Sequence, residues 1–441
     1  MTGAVQGGPA SRTPSGAAGR DLVVLRGFVF ALFFIFGGIT SLNDVLIPKL
    51  KELFTLSYAE AMLVQSAFFL AYFTISIPGA ALVTRIGYMR TGAAGLVVMM
   101  LGCLLFIPAS HSALFGAFLA ALFVLAAGIT IVQVVANPLV SMLGEPKTAH
   151  SRLTFAQAFN SLGTTVFPFV GARLILGSLS HVDARALSGA ALAAYRAQES
   201  RVIGLGYLGL AVALAVVAYA MFRERGRLAE RPGRGAGIRS AAALLKRPRL
   251  AFGAACIFLY VGAEVAVGSL IVNYLMQPRT MGLSPEAAGE HVSFYWGGAL
   301  IGRFIGAALL RRFSPGKVLA AFASAAILML LASGAGAGPM AGWALLLVGF
   351  CNSLMFPTIF SLACEGLGER AAGASGIICV AIVGGAVVPL LTGRLADLVG
   401  LQLALVVPAV CYAVILLFGL YARRPAAPLP AELEDLAPAA V

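Results

Sequence analysis

Charge is what this sequence has least of. Asp, Glu, Lys and Arg make up 11% of its 441 residues and hydrophobic residues 60%, whereas a soluble domain carries about 25% charged residues. This composition excludes an ordinary water-soluble core and favours the lipid bilayer as solvent. The apolar runs are continuous rather than alternating and about 20 residues long, which predicts membrane-spanning helices.

Signals for catalysis and for metal binding are also missing. The six cysteines lie inside or at the ends of apolar runs and form no CxxC pair, so neither a disulfide framework nor a zinc site is expected. We interpret them as small buried hydrophobic residues. The four histidines lie in predicted loops or at helix ends, which argues against a histidine proton relay. Without HExxH, GxSxG or a Cys/His set, we expect neither an enzyme nor a cofactor.

The ends of the chain and its net charge exclude further classes. The first 20 residues are rich in Gly, Ala and Ser and contain no apolar segment of the kind found in signal peptides, so we expect a flexible tail that is not cleaved. The net charge is +13, but the basic residues are scattered through short loops. A nucleic-acid partner is therefore not expected.

The apolar runs predict an all-α, polytopic membrane protein with twelve transmembrane helices in two pseudo-symmetric six-helix bundles. The predicted helices are 22–47, 58–84, 91–110, 113–143, 150–177, 202–222, 250–277, 289–311, 317–335, 341–366, 372–396 and 400–422. The predicted domains are a disordered tail (1–21), an N-terminal bundle (22–222), a basic cytoplasmic linker (223–249), a C-terminal bundle (250–424) and a second disordered tail (425–441).

The distribution of Lys and Arg sets the expected orientation. With the N-terminus inside, most of the 31 basic residues fall on the inner side, as the positive-inside rule requires. We therefore expect a multi-pass protein of the cell inner membrane, with both termini in the cytoplasm. We expect it to be a monomer.

The two predicted halves resemble each other. "GAALVTRIG" (79–87) recurs as "GAALLRRFS" (306–314), and "GTTVFP" (163–168) recurs as "GGAVVP" (384–389). The order is the same and the offset nearly constant, which indicates a parallel duplication. Transporters built from such repeats bind substrate between the halves, near the middle of the membrane.

Polar residues repeat at helical spacing inside several predicted spans. In the fourth span they include Gln133 and Asn137, and in the fifth Gln157, with Asn160 beside the stripe. Single Ser or Thr residues in such stripes are more often interhelical hydrogen-bonding partners. Four carboxamides on two consecutive helices instead favour a water-filled cavity, and they suit a neutral ligand with many hydroxyl groups.

Two carboxylates fall within spans, Asp44 and Glu264. A charged side chain in the bilayer costs roughly 2.5–3.5 kcal/mol on insertion scales, so such residues usually have a function. A carboxyl group that is neutral when buried and charged when wetted can carry a coupling proton. The alternative is a carboxyl group bonded to backbone carbonyls or to a neighbouring amide.

Several segments resemble the fucose permease and glucose/galactose transporter branch of the major facilitator superfamily. The resemblance covers about 400 residues in both halves. The segments are "SLNDVLIPKL" (41–50), "QSAFFLAYF" (65–73), "ANPLVSMLG" (136–144), "RLTFAQAFNSLG" (152–163), "YVGAE" (260–264), "GRFIGAALLRRFSPGKVLAAFA" (302–323) and "FPTIFSLACEGLG" (356–368).

The resemblance implies twelve helices and inward transport of a monosaccharide, by proton symport in the fucose permeases. Those permeases use an Asp in the first helix, matched by Asp44, and a Glu in the fourth, where this chain has Gln133. They tend to carry a neutral amide where this chain has Glu264. This departure favours the glucose/galactose-like branch, which includes N-acetylglucosamine permeases, and leaves Na⁺ as an alternative to H⁺.

The sequence therefore predicts a sugar:cation symporter. Asp44 and Glu264 would couple the ion. Sugar hydroxyls would bond to Asn43, Gln133, Asn137, Gln157 and Asn160, and the sugar ring would lie against Phe159, Tyr260 or Trp296. The alternatives are an L-fucose:H⁺ symporter, an exporter or uniporter with the same fold, and a membrane-embedded enzyme or sensor.

Overall fold

The computed structural model describes residues 16–54, 58–112, 114–171, 188–227 and 243–424, and these residues form helices joined by short connections. Fifteen α-helices fall in this part of the chain. They are α1 Gly16–Phe54, α2 Tyr58–Ile86, α3 Tyr88–Ser112, α4 Phe115–Met142, α5 Ala149–Gly171, α6 Gly189–Arg223, α7 Pro248–Met276, α8 Pro285–Arg312, α9 Pro315–Ala335, α10 Gly338–Asn352, α11 Met355–Ala363, α12 Ala371–Ala381, α13 Gly384–Val399, α14 Leu401–Ala404 and α15 Val406–Tyr421.

Eleven helical stretches in the described residues are long and apolar enough to cross a membrane. Three of them are broken helices: α10 with α11, α12 with α13, and α14 with α15 each make one span. The remaining predicted span corresponds to α5, which is helical over 23 residues but carries the stripe of polar residues noted above. The expected all-helical, twelve-span architecture is confirmed. The first helix begins at Gly16 rather than at the predicted residue 22.

Equivalent contacts confirm that the two bundles are copies of one unit. A Cβ added to Gly163 of α5 would overlap the carbonyl oxygen of Phe34, and one added to Gly384 of α13 would overlap that of Phe258. Each glycine therefore lets two helix backbones touch at the same place in its bundle.

A second pair of contacts repeats at the helix ends. Arg26 Nε donates to the Leu143 carbonyl at 3.0 Å, and Arg249 Nε donates to the Leu362 carbonyl at 2.8 Å. The same guanidinium atom thus satisfies a carbonyl at the end of the fourth span in one bundle and of the tenth span in the other, where a helix leaves such groups unpaired.

The hydrogen bonds described between the bundles lie toward one side of the protein. We call this side, where α1, α5 and α7 begin, the inner face. His150 Nδ1 contacts Ser361 Oγ at 2.6 Å, and Ser151 Oγ donates to the Ala307 carbonyl at 2.7 Å. Among the described residues no hydrogen bond joins the bundles at the opposite, outer face. The inner face is closed in this conformation.

Candidate functional site

Glu264 lies in α7 with its carboxylate held by a neighbouring tyrosine. The Tyr260 hydroxyl, one helical turn earlier, donates to Glu264 Oε1 at 2.7 Å and also lies 3.1 Å from the Asn352 carbonyl. Tyr260 is 1% exposed, whereas Glu264 is only partly buried. The tyrosine ring is therefore packed away, and its hydroxyl serves to fix the carboxylate.

A second set of polar groups surrounds this pair. Asn352 Nδ2 donates to the Tyr295 hydroxyl at 2.8 Å, and that hydroxyl lies 3.4 Å from the Glu264 carbonyl oxygen. Asn352 is fully buried, and its Oδ1 has no hydrogen-bond partner among the described residues. Helices α7, α8 and α10 thus meet in one hydrogen-bond network around Glu264, and all three belong to the C-terminal bundle.

The N-terminal bundle contains a matching amide–tyrosine pair without a carboxylate. Tyr72 in α2 donates to Gln133 Oε1 in α4 at 2.8 Å. Gln133 lies five residues before Pro138, as Asn352 lies five residues before Pro357. Each bundle therefore places an amide at the same position of its fourth helix and bonds it to a buried tyrosine.

The two prolines also free one backbone carbonyl each. A proline in a helix cannot donate to the carbonyl four residues earlier, which is Val134 for Pro138 and Ser353 for Pro357. Ser375 Oγ donates to the Val134 carbonyl at 3.0 Å, and Arg303 Nε donates to the Ser353 carbonyl at 3.2 Å. Both donors belong to contacts that bring the bundles together.

Asn137, one turn beyond Gln133, is fully buried, and neither of its side-chain polar atoms has a hydrogen-bond partner in the part of the chain that the structure describes. Buried polar groups are rarely left unpaired. In this conformation Asn137 therefore has the hydrogen-bonding capacity of a binding residue but no access to a ligand.

The polar residues of α5 face two neighbours. Asn160 Nδ2 donates to the Phe33 carbonyl of α1 at 3.3 Å, beside Gly37. Gln157 is 5% exposed, and its side-chain amide makes no hydrogen bond in the described part of the chain. Asn160 thus joins α5 to α1, and Gln157 keeps a free amide.

The predicted aromatic residues do not share one surface. Phe159 stacks on Phe30 with ring centroids 4.9 Å apart, inside the N-terminal bundle. Trp296 is 45% exposed and makes an edge contact with Tyr295, in the C-terminal bundle. Asn43 and Asp44 lie within α1, but their side chains are outside the described residues.

The family model of the Major Facilitator Superfamily matches residues 28–381, most of the chain. The chain belongs to the Major Facilitator Superfamily. It is similar to a protein named as a glucose/galactose transporter from Brucella abortus biovar 1 (strain 9-941), with 48% identity over 395 residues, covering 89% of this chain and 92% of the relative.

Further relatives are also named as transporters rather than enzymes. A putative glucose/galactose transporter of Helicobacter pylori (strain ATCC 700392 / 26695) is 40% identical over 399 residues, covering 89% of this chain and 95% of the relative. An L-fucose-proton symporter of Escherichia coli (strain K12) is 31% identical over 416 residues, covering 92% and 95%. This superfamily member is therefore a multi-pass membrane transporter.

Among solved structures, the fold is similar to that of FucP, a Major Facilitator Superfamily transporter crystallised in the outward conformation. The TM-score is 0.83 and the identity 31%, and the match covers 92% of this chain and all of FucP. The closed inner face of this superfamily member is consistent with that conformation.

Sequence reasoning missed three residues of this site, Tyr72, Tyr295 and Asn352, and it missed the bridging role of Arg303. The repeat carried a signal for Asn352, because an amide precedes a proline by five residues in both halves. The tyrosines gave no such signal, since a lone Tyr in an apolar run is equally typical of ordinary packing.

Proposed function

We propose that this protein imports a neutral monosaccharide of the glucose/galactose class by symport with a cation, the proton, through alternating access. The observation that carries the proposal is the partly buried Glu264 carboxylate, fixed by Tyr260 inside a membrane-spanning helix. An ionisable group at such a depth is costly and usually functional. The 48% identity to a protein named as a glucose/galactose transporter supports the choice of sugar.

The proposed site takes residues from both bundles. Asp44 and Glu264 would bind and release the coupling ion. The amides of Asn43, Gln133, Asn137, Gln157 and Asn160 would bond sugar hydroxyls, and the exposed ring of Trp296 would supply apolar surface. The rings of Tyr260 and Phe159 are packed inside their own bundles in this conformation and would support the site from behind. Gln157 has the strongest support among the amides, since its side chain makes no hydrogen bond among the described residues and, unlike that of Asn137, is not fully enclosed. Asn137 would join the site only when the inner face opens.

We further propose that the protein works as a monomer in the inner membrane, with both termini in the cytoplasm. The inner face would then open to the cytoplasm, and residues 223–249 would connect the bundles there. Sugar and proton would enter from the outer face and leave when the bundles rock apart at the inner face.

The test is sugar-driven proton movement in proteoliposomes. Adding glucose or galactose outside weakly buffered vesicles should make the external medium alkaline, and replacing Na⁺ with choline should not change this. Glu264→Gln should abolish alkalinisation and retain counterflow of labelled sugar. The exposed Glu290 of α8 offers a matched control, because Glu290→Gln removes a carboxylate from the same bundle without touching the network.

A competition panel of glucose, galactose, mannose, L-fucose and N-acetylglucosamine on whole-cell uptake distinguishes the sugars. Glucose or galactose should compete best. Strong competition by L-fucose alone would favour the fucose:H⁺ alternative. Uptake without any ion movement would reduce the protein to a uniporter, and an absence of counterflow for every sugar would contradict the proposal.

A further inference from the structure

Arg303 is a basic residue deep in α8 that bridges the two bundles. Its Nη1 donates to the Gln157 carbonyl at 3.0 Å and to Ser161 Oγ, both in α5 of the N-terminal bundle. Its Nε donates to the Ser353 carbonyl, which Pro357 leaves free in the C-terminal bundle. One guanidinium therefore connects α5, α8 and the break between α10 and α11.

Arg303 and the Glu264 pair meet at two neighbouring backbone carbonyls. Arg303 Nε donates to the Ser353 carbonyl, and the Tyr260 hydroxyl that holds Glu264 also lies 3.1 Å from the Asn352 carbonyl. Among the described residues no direct ion pair joins the two side chains, so their charges interact through space. The other titratable groups near Glu264, in the part of the chain that the structure describes, are the hydroxyls of Tyr260, Tyr295 and Tyr412. Glu264 is thus the group whose proton changes the charge balance around Arg303.

Burying a cation without a counter-charge is strongly unfavourable, whereas a compensated pair can be accommodated. While Glu264 is ionised, its charge balances Arg303 in the closed inner face. When Glu264 binds a proton, Arg303 loses that balance but stays partly buried. Opening the inner face would then let water reach the guanidinium.

We propose that Arg303 is a positioning residue that closes the inner face while Glu264 is ionised and loosens it when Glu264 is protonated. The inference rests on the proposed coupling role of Glu264 and adds the step from proton binding to movement of the bundles. A proton that arrives from the outer face would thereby favour the inward-open conformation, which is the order that symport requires.

Arg311 provides a matched comparison on the same helix. It lies eight residues after Arg303 in α8, and its Nε donates to Ser151 Oγ of α5 at 3.2 Å. Both arginines thus bond to a serine hydroxyl across the bundle interface. Of the two, only Arg303 also bonds to the Ser353 carbonyl, next to the Asn352 carbonyl that accepts from Tyr260, so a role that depends on the Glu264 carboxylate should separate the two arginines.

The experiment measures how readily the inner face opens, without using sugar. The six native cysteines are replaced, and Ser375→Cys is introduced as a reporter, because Ser375 is fully buried at the interface between α12 and α4. The full-length protein in lipid nanodiscs is treated with N-ethylmaleimide. The alkylation rate is divided by that of the same protein unfolded in detergent, which removes the effect of pH on the thiol.

Glu264→Gln, which mimics the protonated carboxyl group, should raise the relative alkylation rate about fivefold or more, the size of ordinary coupling between sites. Adding Arg303→Gln to the Glu264→Gln protein should return the relative alkylation rate toward that of the reporter protein, because the uncompensated guanidinium charge is gone. Arg311→Gln should instead raise the rate by the same factor with and without Glu264→Gln. In the reporter protein the relative rate should rise as pH falls, and Glu264→Gln should remove this dependence.

The inference would be overturned if Arg303→Gln changed the relative alkylation rate by the same factor with and without Glu264→Gln, as is expected for Arg311→Gln. Arg303 would then be only a structural contact. So would a relative rate that does not change with pH in the reporter protein, a measurement that requires no second variant. Failure of the proposed function looks different, because the protein without Glu264→Gln would then show no sugar-driven alkalinisation. Alkalinisation that survives Glu264→Gln would remove the coupling role of Glu264, and with it the inference about Arg303.

Discussion

The Tyr260 hydroxyl donates a 2.7 Å hydrogen bond to Oε1 of Glu264, its neighbour one turn along α7. A hydrogen bond to a charged group contributes about 1.5–3 kcal/mol, enough to hold the carboxylate in one orientation. Tyr260→Phe should therefore lower the sugar accumulation driven by a proton gradient, while counterflow of labelled sugar at equal pH persists.

The same α7 supplies the control for this prediction. Tyr274 is also buried, and its hydroxyl donates to the Ser333 carbonyl at 2.7 Å, away from Glu264. Tyr274→Phe removes the same atom from the same helix and should leave the ratio of accumulation to counterflow unchanged. Equal losses in both variants would mean that a buried tyrosine hydroxyl matters here only for stability.

Two amides one turn apart in α4 should respond oppositely to the same substitution. Asn137 is buried with no partner, so Asn137→Leu should raise the melting temperature by relieving a cost of about 1–3 kcal/mol. Gln133→Leu should lower it, because the Tyr72 hydroxyl loses its acceptor. If Asn137 bonds sugar when the inner face opens, Asn137→Leu should also slow counterflow. A more stable variant with full counterflow would restrict Asn137 to a packing role.

The close helix crossings at Gly163 and Gly384 should tolerate no side chain. An added methyl group would meet a backbone carbonyl in each case, and overpacking of a core costs about 1–3 kcal/mol or more. Gly163→Ala and Gly384→Ala should each lower the melting temperature of the detergent-solubilised protein. Gly209→Ala in α6, where a Cβ meets nothing within 4 Å, should leave it unchanged or slightly raised.

The duplicated architecture could be read from the sequence because its signals are local. Apolar runs of sufficient length predict spans, and the recurrence of "GTTVFP" as "GGAVVP" already marked Gly163 and Gly384 as equivalent. The polar residues of α5 were likewise visible at helical spacing. The contacts of these residues could not be predicted. Asn160 bonds to α1, while the Gln157 amide makes no hydrogen bond among the described residues, and this difference depends on how the helices cross.

The contacts of Arg303 could not be predicted for a related reason. Its partners are the Gln157 carbonyl, the Ser161 hydroxyl and the Ser353 carbonyl, two of them backbone groups, and backbone groups leave no mark on the side-chain sequence. Pro357 was the available clue, since it frees the carbonyl of Ser353. Only the packing of the two bundles shows that a guanidinium reaches it.

The inner ends of the C-terminal bundle depend on Arg249, which is 6% exposed and forms an ion pair with Glu365. Arg249 also donates to the carbonyls of Leu362 and Arg424. Arg249→Gln should therefore lower the melting temperature far more than Glu365→Gln does.

The reason for this difference is solvent access. The Glu365 carboxylate is partly exposed, so water can replace its partner, and an ion pair open to solvent contributes about 1 kcal/mol or less. The Leu362 carbonyl satisfied by Arg249 is buried and has no such replacement. In the double variant the loss should match that of Arg249→Gln alone within about 0.5 kcal/mol. A loss in Glu365→Gln as large as that in Arg249→Gln would show that the ion pair, rather than the carbonyl contacts, holds these helix ends together.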